Sequence, residues 1–231
     1  MKIVFTWDDG ALEDLKLFDL HRKYNIPGMF FVPNFNKEGR EVLTPEMIRD
    51  NYSDIISFGG HTVTHSYLPT IPADELDSEL KDNRDYLSEL TGTPVEHFCL
   101  PGGKYDEKLL ETAFKYFKTV RTADTMNYKH NGVLCKPTFH FYPRGKKSLL
   151  VNAIRNKNIK AFWDVVTNID KPYFELFYKL LEKNRNSNSV LVFWGHSWEI
   201  EELNIWSELE NLLKYLSENY AEFCVKYDEI F

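Results

Sequence analysis

No stretch of 18 apolar residues occurs in the 231-residue chain, so nothing in it reads as a membrane-spanning helix. Basic residues are outnumbered, 28 Lys and Arg against 35 Asp and Glu, and the resulting charge of −7 argues against a nucleic acid or an anionic membrane as partner. Cysteine is scarce. Cys99, Cys135 and Cys224 are widely spaced and form no Cys-x-x-Cys pair, which excludes a disulfide framework and a structural zinc knuckle and leaves them as small buried residues. Repeats, low-complexity tracts and long linkers are also missing, so one domain spanning residues 1–231 is expected. The chain opens on the strand-like Met1-Lys2-Ile3-Val4-Phe5, which leaves no room for a secretory leader. A cytoplasmic location is the expectation, with secretion open if a leader was removed, and the oligomeric state is not legible.

What is present is an alternation of short apolar runs with amphipathic stretches, the pattern of repeated βα units. Strands are predicted at Lys2 to Thr6, Gly28 to Val32, Asp54 to Phe58, His97 to Leu100, Phe117 to Thr122, Val133 to Tyr142 and Val190 to Trp194, with a weaker one at Phe223 to Lys226. Helices are predicted at Glu13 to Tyr24, Ala73 to Leu90, Asp106 to Tyr116, Tyr173 to Asn184 and Ile205 to Asn219, while Lys146 to Asp170 resists assignment. A barrel or a doubly wound sheet fits this order, and both place their chemistry at the C-terminal ends of the strands.

Three of those ends carry reactive side chains. The first strand stops at Thr6-Trp7-Asp8-Asp9-Gly10, where a turn permitted by Gly10 lets two consecutive carboxylates reach one pocket, one to bind a cation and one to take a proton. By itself such a motif also describes a solvated turn. The third strand runs into Gly59-Gly60-His61-Thr62-Val63-Thr64-His65, whose imidazoles face the same way if the chain makes one helical turn. Two histidines and a carboxylate leave a coordination position open, the composition of a catalytic zinc site. A later strand ends at Gly195-His196-Ser197-Trp198-Glu199, and an imidazole titrating near ~6.5 suits a proton donor at neutral pH. Trp198 is the aromatic best placed to stack on a sugar ring, and Phe139-His140-Phe141-Tyr142 can direct His140 inward.

With these motifs in order the chain resembles the polysaccharide deacetylase or NodB-like family, also called carbohydrate esterase family 4. Thr6 to Gly10 matches its Thr-Phe-Asp-Asp-Gly motif with Trp7 for Phe, and His61 to His65 matches its His-Thr-x-x-His motif. Phe98-Cys99-Leu100-Pro101-Gly102-Gly103 is similar to its third motif and Leu191 to His196 to its last. The resemblance implies a distorted (β/α) barrel with about seven strands, and hydrolysis of an acetyl group from an acetylated carbohydrate. It also implies one divalent metal ion, zinc by expectation though other divalent ions would serve. It assigns Asp9, His61 and His65 as ligands, Asp8 as base and His196 as acid, with the backbone N–H near Gly102 as oxyanion donor.

The family's third-motif arginine falls on Cys99, and its fourth motif has no match between Arg121 and Arg144. Arg121, closing the next strand after the one bearing Cys99, is expected to supply the missing cation and grip Asp8 through two hydrogen bonds. N- and O-acetyl groups, short oligomers and small conjugates all present the same carbonyl. Two other readings stay open: a carbohydrate-binding or regulatory pseudoenzyme of the same fold, and a hydrolase of a non-sugar amide.

Overall fold

The computed structural model describes residues 1–130, 132–143 and 145–231; Asn131, in the polar loop beside His130, and Arg144, at the end of the unmatched fourth-motif segment, lie outside the described residues. In chain order the elements are β1 (Lys2–Asp8), α1 (Asp14–Tyr24), β2 (Gly28–Val32), α2 (Pro45–Asn51), β3 (Ile56–Gly60), α3 (Leu76–Thr91), β4 (His97–Cys99), α4 (Glu107–Ala113) and β5 (Thr119–Arg121). They continue as β6 (Leu134–Cys135), β7 (Phe139–His140), α5 (Lys146–Arg155), α6 (Ile159–Val166), α7 (Tyr173–Asn184), β8 (Val190–Gly195), α8 (Ser197–Glu202) and α9 (Trp206–Asn219).

Every strand pairing is parallel, in one sheet ordered β6-β5-β4-β3-β2-β1-β8-β7. The two edge strands are separated in sequence by residues 136–138 alone. Four Cα steps span at most about 14 Å, so the edges lie side by side and the sheet curls into a distorted barrel. The predicted strand from Val133 to Tyr142 is therefore one pass of chain that pairs with β5 at its start and with β8 at its end. Pro137, which has no N–H to give to a ladder, sits at the break and divides it into two short strands. Among the described residues hydrogen bonding thus counts eight strands where the chain makes seven passes.

Side-chain alternation sorts the barrel into two layers. Ile3, Phe5 and Trp7 of β1 face outward and pack with Leu17 and Phe18 of α1 and Leu209 of α9. Burying one such aromatic is worth about 1.5–3 kcal/mol. Val4 points inward to a small cluster with Met29, Phe31, Cys99, Cys135 and Val192. Tyr227 and Ile230 close this interior from below. The weaker strand predicted at Phe223 to Lys226 is absent; the chain there forms a 3-10 turn and a single bridge from Cys224 to Ile3. The unassigned stretch from Lys146 to Asp170 folds as α5 and α6. Continuing the inward file of β1 beyond Val4 brings Thr6 and then Asp8 to the C-terminal mouth of the barrel, with Cys99, Arg121 and His140 at the same level of their own strands.

Candidate active site

At the end of β1, Asp9 adopts φ 77° and Gly10 φ 60°, a left-handed turn that swings Asp9 back over the barrel mouth beside Asp8. A side chain at Gly10 would meet Val32 at 2.6 Å, so the tight turn and the packing both require glycine there. His61 and His65 follow β3, but not on a helical turn: Thr62 and His65 both have positive φ, 64° and 59°. The loop is held from outside. Asn83 of α3 accepts the His61 backbone N–H at 2.7 Å, and Glu79 accepts the Thr64 N–H at 3.0 Å.

The loop aims both imidazoles at Asp9. His61 Nε2 lies 3.3 Å and His65 Nε2 3.0 Å from Asp9 Oδ1, and all three residues are buried. His61 Nδ1 donates to the Cys99 carbonyl at 2.8 Å, which fixes the tautomer that leaves Nε2 with its lone pair facing the carboxylate. Two imidazole nitrogens and a carboxylate oxygen converging in this way form a donor set that fits a zinc-like divalent ion with coordination positions to spare. Trp198 Nε1 donates to the other oxygen of Asp9 at 2.9 Å, so its indole orients the carboxylate, and the Arg40 guanidinium lies over its ring at 4.0 Å. Burial works against ionisation of Asp9, but the charge of His196 and the neighbouring imidazoles of His61 and His65 outweigh it and hold the carboxyl well below its usual range.

Asp8 lies one residue deeper. Arg121, on β5, is fully buried, and its Nη2 donates to both oxygens of Asp8. Cys99 and Arg121 are direct register partners on adjacent strands, and the guanidinium passes 2.9 Å from the Cys99 sulfur. It is flanked by the rings of Trp194 and Phe31, at 4.9 and 5.4 Å.

On the opposite wall His196 Nε2 lies 3.8 Å from Asp9 Oδ2, while its Nδ1 shares a 2.7 Å hydrogen bond with Glu199 Oε2. The same Glu199 oxygen meets His140 Nε2 at 2.7 Å, and His140 stacks flat on Trp194 at 3.9 Å. Burial would lower the His196 imidazole, but the carboxylates of Asp9 and Glu199 outweigh it and raise its pKa to about 9. Burial would likewise raise Glu199, whereas its two imidazole partners hold it at about 2. Glu199 and its bridge to His140 were not read from the sequence. The signal was there in His196-Ser197-Trp198-Glu199, an i, i+3 pair at a helix start, which the geometry of a first turn brings together.

These groups line a cavity of about 430 Å³, with Gly102 on the rim in a turn at φ 63° and Tyr67, Ser148, Asn152 and Tyr173 around it. A wider groove of about 890 Å³ opens at the other end of the strands, around Pro94, Glu96 and Lys118. Among the described residues the metal-ligand clusters fall at the first site and not at the second.

Residues 1–118 match the family model described as polysaccharide deacetylase. A 30.6 kDa protein of Geobacillus stearothermophilus, named as uncharacterized, is 27% identical over 118 residues, which cover 50% of this chain and 43% of that protein. YxkH of Bacillus subtilis, named for polysaccharide deacetylases, is 23% identical over 114 residues, 49% of this chain and 41% of that one. The match thus spans less than half the length of either relative. Among solved structures, a Mycobacterium smegmatis protein named for the same deacetylases superposes with a TM-score of 0.68 at 15% identity, over 99% of this chain and 88% of that one. The family 4 carbohydrate esterase of Streptomyces lividans, solved with acetate, gives 0.57 at 12% identity over 96% and 88%. At these identities the structural likeness establishes the fold. No helix among the described residues is long and apolar enough to cross a membrane.

Proposed function

The chain belongs to the polysaccharide deacetylase family, and we propose that residues 1–231 form one catalytic domain that removes an acetyl group from an acetylated sugar, using one divalent ion held by Asp9, His61 and His65. The observation that carries this reading is the convergence of His61 Nε2 and His65 Nε2 on Asp9 Oδ1 between a buried carboxylate, Asp8, and the imidazole of His196. When bound, such an ion supplies Lewis acidity, polarising a carbonyl and making water acidic enough to attack near neutral pH.

The protein's own groups do the rest. Asp8, its carboxylate fixed by Arg121, accepts the proton of the attacking water. The backbone N–H near Gly102, on the rim of the cavity, is assigned to the oxygen on which charge develops. His196, held protonated and aimed by Glu199, gives its proton to the departing nitrogen of an N-acetyl group. Burial of Asp8, Asp9 and His61 excludes bulk water from these steps.

Metal content by elemental analysis, with acetate release measured across a panel of N- and O-acetylated sugars, tests the reading. One bound ion per chain and acetate release that stops with chelator and returns with zinc are expected. Asp8→Asn should keep the ion and lose about 10²- to 10⁴-fold in kcat, because an amide cannot take the water's proton. Release from non-sugar amides alone would overturn the substrate class, and an unchanged kcat in Asp8→Asn the assignment of the base.

A pH prediction follows from Glu199. The acid is the protonated imidazole, and the Glu199 carboxylate helps raise its pKa. Glu199→Gln removes that support, so the alkaline limb of the kcat profile should move to lower pH, towards the ~6.5 of a free imidazole. An unmoved limb would mean that another group sets it.

A further inference from the structure

Gly145 to Trp163 holds five Lys and Arg and no Asp or Glu, in a chain with 35 acidic residues. The segment forms α5 and α6, packed against each other at the rim of the active cavity. Ser148, Leu149 and Asn152 on the inner face of α5 line that cavity, and Asn152 and Asn156 pin the helix to Thr125 by hydrogen bonds of 2.8 and 2.7 Å. The outer face is unlike the rest of the surface. At helical spacing α5 presents Lys147, Val151 and Ile154, and α6 presents Ile159 and Trp163. Ile154, Ile159 and Trp163 are 64%, 74% and 57% exposed, and with Val151 and Ile169 they make five of the ten large hydrophobic residues exposed on the described surface. A groove of about 290 Å³ lined by Ile154, Ile159 and Phe162 runs between the helices. Lys147 and Arg155 of α5, and Lys157 in the wall of the groove, have no carboxylate within ion-pair distance among the described residues, whereas Lys171, Lys179 and Lys183 just beyond are all paired.

We propose that this face seats the protein on an anionic lipid bilayer, with Ile154, Ile159 and Trp163 in the interface and Lys147, Arg155 and Lys157 among the headgroups. Helices that combine a tryptophan-bearing apolar face with a basic border lie in the bilayer interface by burying the first and neutralising the second. The chain-wide charge of −7 conceals this patch and reinforces its role, because the remaining acidic surface is repelled and the basic face turns downward. A second copy is the poorer occupant: an isologous contact would set the unpaired cations against their own copies. One helix, about 10 Å across, separates the seated face from the cavity. A sugar carried at the bilayer surface therefore comes within reach of the site. That consequence rests on the proposed hydrolysis; the seating does not.

Cosedimentation with phosphatidylcholine vesicles, with and without phosphatidylglycerol, tests the proposal in the absence of substrate. The protein should sediment only with the anionic vesicles, and less as salt is raised. Replacing Lys147, Arg155 and Lys157 by Gln should lower partitioning about fivefold per cation, on the order of a hundredfold together. Trp163→Asp should abolish it, and Trp163→Phe should remove the vesicle-induced blue shift of fluorescence. All these variants should keep wild-type melting temperature and wild-type turnover of a soluble substrate. Sedimentation indifferent to phosphatidylglycerol, or undiminished in Trp163→Asp, would overturn the proposal. So would a concentration-dependent dimer in ultracentrifugation that Trp163→Asp dissolves, since the face would then belong to a second copy.

Discussion

His65→Ala is expected to lose its divalent ion and, with it, acetate release. The residue reaches Asp9 from a backbone in the left-handed region, within a loop that Glu79 and Asn83 of α3 hold from outside. An energy cost stored at that position is reasonable only if the side chain it aims is used. With two donors left, the site cannot hold an ion that must keep positions open for water and substrate. Lewis-acid stabilisation is worth several kcal/mol, and at about 1.4 kcal/mol per decade the rate should fall on the order of a thousandfold or more. Thermal melting separates this outcome from misfolding. A ligand present at 100 times its Kd stabilises a folded protein by about 2.7 kcal/mol, so added zinc should raise the melting temperature of the wild-type protein and leave that of His65→Ala where it was. Zinc-dependent stabilisation equal to wild type in His65→Ala, or in the parallel variant His61→Ala, would remove that residue from the ligand set.

The helices and strands that were legible in the sequence share a physical cause. Tyr173–Asn184 and Gly28–Val32 have the predicted bounds because one carries a long apolar stripe and the other is buried on both faces, so burial alone defines them. Where burial is partial, legibility falls. The outward residues of α5 and α6 are apolar and exposed, which erases the polar-out, apolar-in period by which a surface helix is recognised. Val133 to Tyr142 read as one strand because it is one extended pass; that its two ends pair with β5 and β8 depends on barrel closure, a long-range property. The strand expected at Phe223 to Lys226 carries the right residues, but the sheet already has its neighbours and needs Tyr227 as a floor instead.

Within the site, residues announced by spacing at strand ends were legible, and those defined by loop conformation were not. Asp8, Asp9, His61, His65 and His196 all come to one cavity. The helical turn assumed between the two histidines is absent, since positive φ at Thr62 and His65 turns the imidazoles inward by another route. Trp198, expected to stack on substrate, donates to Asp9 beneath the Arg40 guanidinium. The His196–Glu199 half of the bridge is a local i, i+3 pair, but Glu199 meets His140 across 59 positions, a contact with no local signature.

Arg121 carries the remaining large prediction, because a fully buried guanidinium on a fully buried carboxylate is costly to lose from either side. Removing one partner of such a pair leaves an uncompensated charge and destabilises by about 3–5 kcal/mol. At about 2–4 °C per kcal/mol for a chain of this size, Arg121→Met should melt on the order of 10 °C lower. Arg121→Lys keeps the charge but not the planar guanidinium, whose Nη1 is anchored on the Thr122 carbonyl while Nη2 meets both oxygens of Asp8, so it isolates orientation from stability. A base displaced by about 1 Å loses roughly a hundredfold, and kcat should drop by that order with the metal retained. The sheet register permits a sharper test. Cys99 faces Arg121 directly across β4 and β5, so the cation that the resemblance places at Cys99 has a counterpart one strand over at the same level of the barrel. Arg121→Cys combined with Cys99→Arg returns the guanidinium to the neighbouring strand while conserving the composition of the pocket. If the guanidinium serves to position Asp8, the double variant should recover a large part of the turnover lost in Arg121→Cys alone, a coupling that two independent packing defects cannot produce. Additive losses in the double variant, or a wild-type kcat in Arg121→Lys, would show that Asp8 is held in place by something other than this arginine.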